Sequence, residues 1–226
     1  MHADLKTSRE KDLSVSETIL LPGLREAKAS LDTGESADTT GVTDTDADAV
    51  FVACPPHPQQ RGHRGDGRLV AVSDALTERG IDCLRFDYGP WDEGRGERAD
   101  AQNALRWAYD RYERVGLFGF SFGGAIALLT AADAGPGDLA AVSTLAPAGQ
   151  LAVDGHDAVW ALDYVDVPTQ IVYGVRDDTA EWETIVDRAR ALGFETVERS
   201  ADHFFIGQEA KVARLVADFL EPQLVE

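Results

Sequence analysis

Along most of this chain, short continuous apolar runs alternate with polar loops and with stretches of helical spacing. Ala49-Val50-Phe51-Val52-Ala53-Cys54 is the first such run, followed by a loop over 55–66 and a helix near 67–79 that Gly80 closes. The unit recurs as a strand at 81–86, a Gly-rich loop and a helix near 97–112, and again as a strand at 115–120, a tight turn and a helix near 122–133. Further strands are predicted near 139–145, 168–174 and 194–199, with helices near 180–192 and 207–220. Strands apolar throughout are covered on both faces. Their alternation with helices predicts an α/β fold with a mostly parallel central sheet and helices on both faces. Ligand chemistry in such a sheet belongs beyond the carboxyl ends of the strands.

The beginning of the chain is different. Residues 1–16 are charged and aperiodic and read as a flexible tail, leaving residues 17–226 as one domain. Glu17-Thr18-Ile19-Leu20-Leu21 and Arg25-Glu26-Ala27-Lys28-Ala29-Ser30-Leu31 flank Pro22-Gly23, the pattern of a hairpin. Residues 34–48 are Thr, Asp and Gly with almost no apolar side chains, as in an exposed loop.

Composition narrows the function classes. A net charge of −19 opposes nucleic-acid phosphates and anionic lipid surfaces, so neither is an expected partner. No apolar run is long enough to span a bilayer, and the polar start lacks the basic and apolar regions of a secretory signal; the expected compartment is the cytoplasm. Cys54 and Cys83 sit in apolar strands and read as free core thiols. Lysine occurs only at positions 6, 11, 28 and 211, and the acidity leans on Asp, a balance resembling proteins of salt-accumulating cells.

Gly119-Phe120-Ser121-Phe122-Gly123 fits G-x-S-x-G between an apolar strand and a small-residue helix, where a tight turn projects a serine hydroxyl above a sheet. A dinucleotide fingerprint fits worse, because Ser121 stands where its second glycine belongs. A serine hydroxyl is a weak nucleophile and needs a base, which in turn needs a group to fix its tautomer. Of the five histidines, His203 lies on a loop between the last predicted strand and the last helix. The strand before it leads into Gly174-Val175-Arg176-Asp177-Asp178, which offers Asp177 as the acid with Asp178 as runner-up. Asp202, adjacent to His203, is assigned to structure or solvent.

These residues carry a resemblance. The elbow at 119–123, a G-x-x-D acid loop at 174–177 and a late His203, in the order Ser, Asp, His, resemble the α/β-hydrolase family over residues 17–221. The resemblance implies one oxyanion donor at the Phe122 N–H and a second from Pro55-Pro56-His57-Pro58-Gln59-Gln60-Arg61-Gly62, where Pro58 has no N–H and Gln59 is the candidate. That loop departs from the HGGG-type of many lipases and is more similar to small dienelactone-hydrolase-like members, which typically use a cysteine where Ser121 stands. Only about two dozen residues separate the strands near 145 and 168, so little or no cap domain is expected. His57, Trp91, Phe120, Trp160, Phe204, Phe122 and Phe205 are the candidate lining of an apolar cleft. His57, His63 and Asp66 match no metal-ligand spacing, and neither metal nor cofactor is expected. The reading is a serine hydrolase acting on a small acyl substrate, an ester or thioester. An acyltransferase or peptidase with the same triad, and a noncatalytic binding protein on the same fold, are the alternatives. Oligomeric state is not legible.

Overall fold

The computed structural model describes residues 16–23, 25–34 and 47–225. The expected tail up to residue 15 and most of the expected 34–48 loop lie outside these residues. Ser16, read as the end of the tail, instead opens the first strand. In chain order the elements are β1 (Ser16–Leu20), β2 (Lys28–Asp32), β3 (Ala49–Cys54), α1 (Gly67–Thr77), β4 (Asp82–Phe86), α2 (Arg95–Tyr109), β5 (Arg114–Phe120), α3 (Phe122–Ala131), β6 (Ala141–Leu145), β7 (Ala152–Val153), β8 (His156–Asp157), α4 (Ala158–Leu162), β9 (Thr169–Gly174), α5 (Glu183–Leu192), β10 (Glu195–Arg199) and α6 (Glu209–Val225).

The main sheet runs β1-β2-β4-β3-β5-β6-β9-β10. All pairs from β4 to β10 are parallel, and the expected β1–β2 hairpin adds two strands through antiparallel pairing of β2 with β4. Central strands β3, β6 and β9 are buried at every position, so none alternates apolar with polar; β3 is apolar throughout, and the buried Ser143 and Gln170 of β6 and β9 bond each other at 2.8 Å. Two hydrophobic clusters cover the two faces. One joins the sheet to α2, α3, α4 and α5; the other joins it to α1 and α6. Cys54 and Cys83 are fully buried free thiols whose ionisation burial pushes far up.

Parallel strands place the ends of β3, β5, β9 and β10 along one edge. Cys54 pairs with Gly119 and Gly174 with Arg199, so the loops that follow these strands emerge side by side. From β3 the chain passes outward to β4 and then returns across β3 to β5, so the strand order reverses between β3 and β5. That reversal opens the crevice in which open α/β sheets place their chemistry. Between β6 and β9 the chain forms only the β7–β8 ribbon and the five-residue α4, so among the described residues no cap domain is inserted at this edge. No helix of the described residues is long and apolar enough to cross a membrane.

Three features differ from expectation. The β7–β8 ribbon and α4 are too short to leave a periodic signal. α6 runs beyond Leu220 and through Pro222, where the pattern predicts a stop. So near the carboxyl end Pro222 removes one helical hydrogen bond, while Leu224 beyond it is buried against the sheet.

Candidate active site

Ser121 stands at the turn between β5 and α3 with φ 57 and ψ −119, a left-handed backbone that a residue with a Cβ holds only when its surroundings impose it. The glycines around it make those surroundings. A Cβ on Gly119 would fall 2.1 Å from the Gly123 carbonyl oxygen, and one on Gly123 would fall 2.2 Å from that of Cys54. Ser121 N donates to Leu145 O at 2.9 Å, and Ser121 O accepts from Ala148 N at 3.1 Å, so the elbow is also tied to the segment after β6.

His203 and Asp177 come from neighbouring loops after β10 and β9. The loops are stitched together: Val175 N donates to Arg199 O and Arg176 N to Ala201 O, each at 3.0 Å. Asp202 closes the histidine turn by accepting from Phe204 N at 3.0 Å and Phe205 N at 3.1 Å, a structural use of that carboxylate. His203 is buried. Its Nε2 lies 2.9 Å from Ser121 Oγ and its Nδ1 lies 2.7 Å from Asp177 Oδ2. The structure therefore brings Ser121, His203 and Asp177 into one hydrogen-bonded chain, while Asp178 is exposed and turned to Thr179.

Asp177 is fixed on both oxygens. Oδ1 accepts from Thr179 N and Ala180 N, both at 2.9 Å, and the backbone carbonyl accepts from Trp182 Nε1 at 3.1 Å. Burial pushes this carboxyl's pKa up, but the hydrogen bonds from His203, Ala180 and Thr179 outweigh it and hold the group below the ordinary carboxylate range. An ionised Asp177 only accepts, so His203 Nδ1 carries the proton and Nε2 is left as an acceptor facing the serine O–H. Gln150, a residue the sequence does not single out, ties the acid loop to the segment after β6. Its Nε2 donates to Thr179 O at 3.0 Å and its Oε1 accepts from Glu181 N at 3.1 Å.

Across the crevice, the loop after β3 makes a short 3₁₀ turn at Pro58–Gln60. His57 caps it: Gln59 N donates to His57 Nδ1 at 3.2 Å. The imidazole stacks on Trp91 at 4.6 Å and leans on Phe122 at 4.8 Å, and Tyr88 meets Phe122 edge-on at 5.7 Å. Burial lowers the pKa of His57 against an opposing pull from Glu97, favouring a neutral ring. His63 and Asp66 serve the loop itself: His63 Nδ1 accepts from Gly65 N at 3.0 Å, and Asp66 caps α1 through Arg68 N.

The expected aromatic lining is rearranged. His57, Trp91 and Phe122 form one wall. Phe204, half exposed, meets the His203 ring edge-on at 5.2 Å. Phe120 is 2% exposed and belongs to the core beneath α1 and α6, so it does not line an open cleft; Phe205 is fully buried as well. Trp160 has its ring contacts with His156 at 3.8 Å and Tyr164 at 4.4 Å, an aromatic stack on α4 and its flanks rather than part of the wall around His57.

No family model and no curated protein sequence matches this chain. Solved structures do. The chain is similar to an alpha-beta serine hydrolase homologue from Coxiella burnetii at 23% identity, over 95% of this chain and 99% of that one, with a TM-score of 0.73. It is similar to Est1E from Butyrivibrio proteoclasticus at 19% identity, over 91% and 98% of the two chains, TM-score 0.76. It is also similar to a dienelactone hydrolase from Anabaena variabilis at 21% identity, over 94% and 98%, TM-score 0.69.

Proposed function

Taking as premise that this chain has the α/β-hydrolase fold, we propose that it is a serine hydrolase cleaving carboxylic esters or thioesters of a small acyl substrate through an acyl-enzyme. The observation that carries this reading is the unbroken hydrogen-bonded chain from Ser121 Oγ through His203 to Asp177. His203 Nε2 takes the hydroxyl proton as Ser121 Oγ attacks the carbonyl carbon, and Asp177 stabilises the imidazolium that forms. The same Nε2 then gives the proton to the departing alcohol or thiol, and in the second half it activates the water that releases the acid.

The negative charge on the carbonyl oxygen needs donors fixed in advance. Phe122 is the first residue of α3, so its N–H has no acceptor within the helix and is offered to the oxyanion. Gln59 is the second donor. Its N–H rests on His57 Nδ1 at 3.2 Å, a long bond that a charged oxygen displaces. The wall of His57, Trp91 and Phe122 and the rim residue Phe204 suit an uncharged, partly apolar substrate. The esterases and hydrolases that share the fold agree in kind.

Hydrolysis of short-chain p-nitrophenyl esters tests the reading. Wild type turns over, Ser121→Ala and His203→Ala each lose about 10⁴-fold or more in kcat, and Asp177→Asn loses about 10⁴-fold through the wrong tautomer. Activity that survives Ser121→Ala removes the mechanism, and a wild type that neither turns over nor reacts with a serine-directed phosphonate leaves a binding protein.

A further inference from the structure

Behind His203 the structure holds a group that the proposed chemistry does not use. The Phe120 ring lies against the imidazole with centroids 5.4 Å apart, and the Arg68 guanidinium sits over the same phenyl ring, 4.3 Å from its centroid. Arg68 Nη1 donates to Phe204 O at 3.1 Å, the carbonyl of the residue that follows His203. Its other edge is forked onto Asp66, with Nε 2.8 Å from Oδ1 and Nη2 bonded to Oδ2, and Asp66 is itself fixed as the cap of α1 through Arg68 N. The guanidinium is thus held in plane from behind, presses on the ring that backs the imidazole, and pins the backbone next to it. The histidine turn is then held from two sides, by Asp202 on its N–H groups and by Arg68 on its carbonyl.

We propose that Arg68 is a positioning residue for the base: it fixes the His203 ring in the orientation that joins Ser121 to Asp177. The proposal rests on the reading of His203 as the base, but the geometry it predicts exists without substrate. A planar fork is required, because one group must serve the Asp66 carboxylate, the Phe120 face and the Phe204 carbonyl together. A lysine ammonium is a point charge and serves them one at a time. Arg68→Met keeps a stem over Phe120 and removes the fork; Arg68→Lys keeps the charge and removes the plane.

The decisive measurement is the pair of ring ¹⁵N shifts of His203 in wild type and both variants, taken on folded protein well below its melting temperature, beside kcat and KM on an ester the wild type hydrolyses. Wild type shows the Nδ1–H tautomer alone. Both variants show averaging between tautomers, and kcat falls by about 10- to 100-fold while KM stays within about twofold, because ring placement acts on the chemical step. The proposal is overturned if both variants keep the wild-type ring shifts and lose only melting temperature, since Arg68 then merely caps α1 with Asp66. Should wild type neither hydrolyse an ester nor react with a serine-directed phosphonate, the hydrolase reading fails, and the ring shifts alone still decide whether Arg68 places the imidazole.

Discussion

A carboxylate whose pKa is held low by its folded contacts ties stability to pH in one direction. Asp177 in the unfolded chain titrates near 3.9 and in the fold below that. Its contribution is therefore complete above the unfolded value and is lost as pH falls through the folded one. The unfolding free energy of wild type should exceed that of Asp177→Asn by a constant margin above about pH 5, and the margin should close as pH falls below about 4. Urea unfolding across that range checks it; a margin independent of pH removes the assignment of His203, Thr179 and Ala180 as donors to an ionised Asp177. Much at this scale was legible in sequence. Ser121 announces itself through glycines whose absent Cβ atoms the elbow requires, and His203 and Asp177 follow from strand ends and chain order. Arg68 and Gln150 were not legible. The partners that matter lie far off in sequence, Phe204 136 residues from Arg68 and Thr179 and Glu181 29 or more from Gln150, while the neighbouring Asp66 marks only a helix cap. Phe120 was misread for a related reason: a side chain next to the serine of the turn can point to either face of the strand, and here it points into the core.

At the scale of elements, the segment that carries Trp91 is held by charge rather than by secondary structure. Residues 88–94 contribute backbone groups to two fully buried carboxylates, with Gly89 N bonded to Asp100 and Asp92 N and Gly94 N to Glu97. Arg25, from the β1–β2 turn, donates to Asp100 at 3.0 Å and to Pro90 O and lies 3.7 Å from Glu97. Burial pushes Asp100 up, against the hydrogen bonds from Gly89 and Arg25. Arg25→Met should destabilise the protein by about 3 kcal/mol near pH 8, because two buried carboxylates lose their cation. With that carboxyl raised further, the loss shrinks as pH falls toward 5 and Asp100 takes up a proton. Urea unfolding of both proteins at the two pH values measures it, and an equal loss at both removes the electrostatic explanation. The strands and long helices were legible because burial on both faces or one writes a period into ten or so residues. The β7–β8 ribbon and α4, two to five residues each, are shorter than any period, and the continuation of α6 past Pro222 depends on the burial of Leu224, a contact with distant strands.

Across the whole molecule, 40 acidic residues face 21 basic ones. Among the described residues every ion pair with a permanent cation uses arginine. Those pairs neutralise particular carboxylates and leave the excess to repel itself over the surface. Screening length falls from about 10 Å at 0.1 M salt to about 3 Å at 1 M. The melting temperature should therefore rise from dilute buffer to molar KCl, followed by circular dichroism, and a flat or falling curve would show that the surface repulsion is not what limits stability. The two thiols have a last consequence for chemical labelling. Because Cys54 and Cys83 are sealed in the strands and protonated, an electrophilic probe added to the native protein meets no competing sulfur nucleophile. A serine-directed phosphonate that adds one mass increment to wild type and none to Ser121→Ala then reports the proposed nucleophile, without blocking or replacing either cysteine.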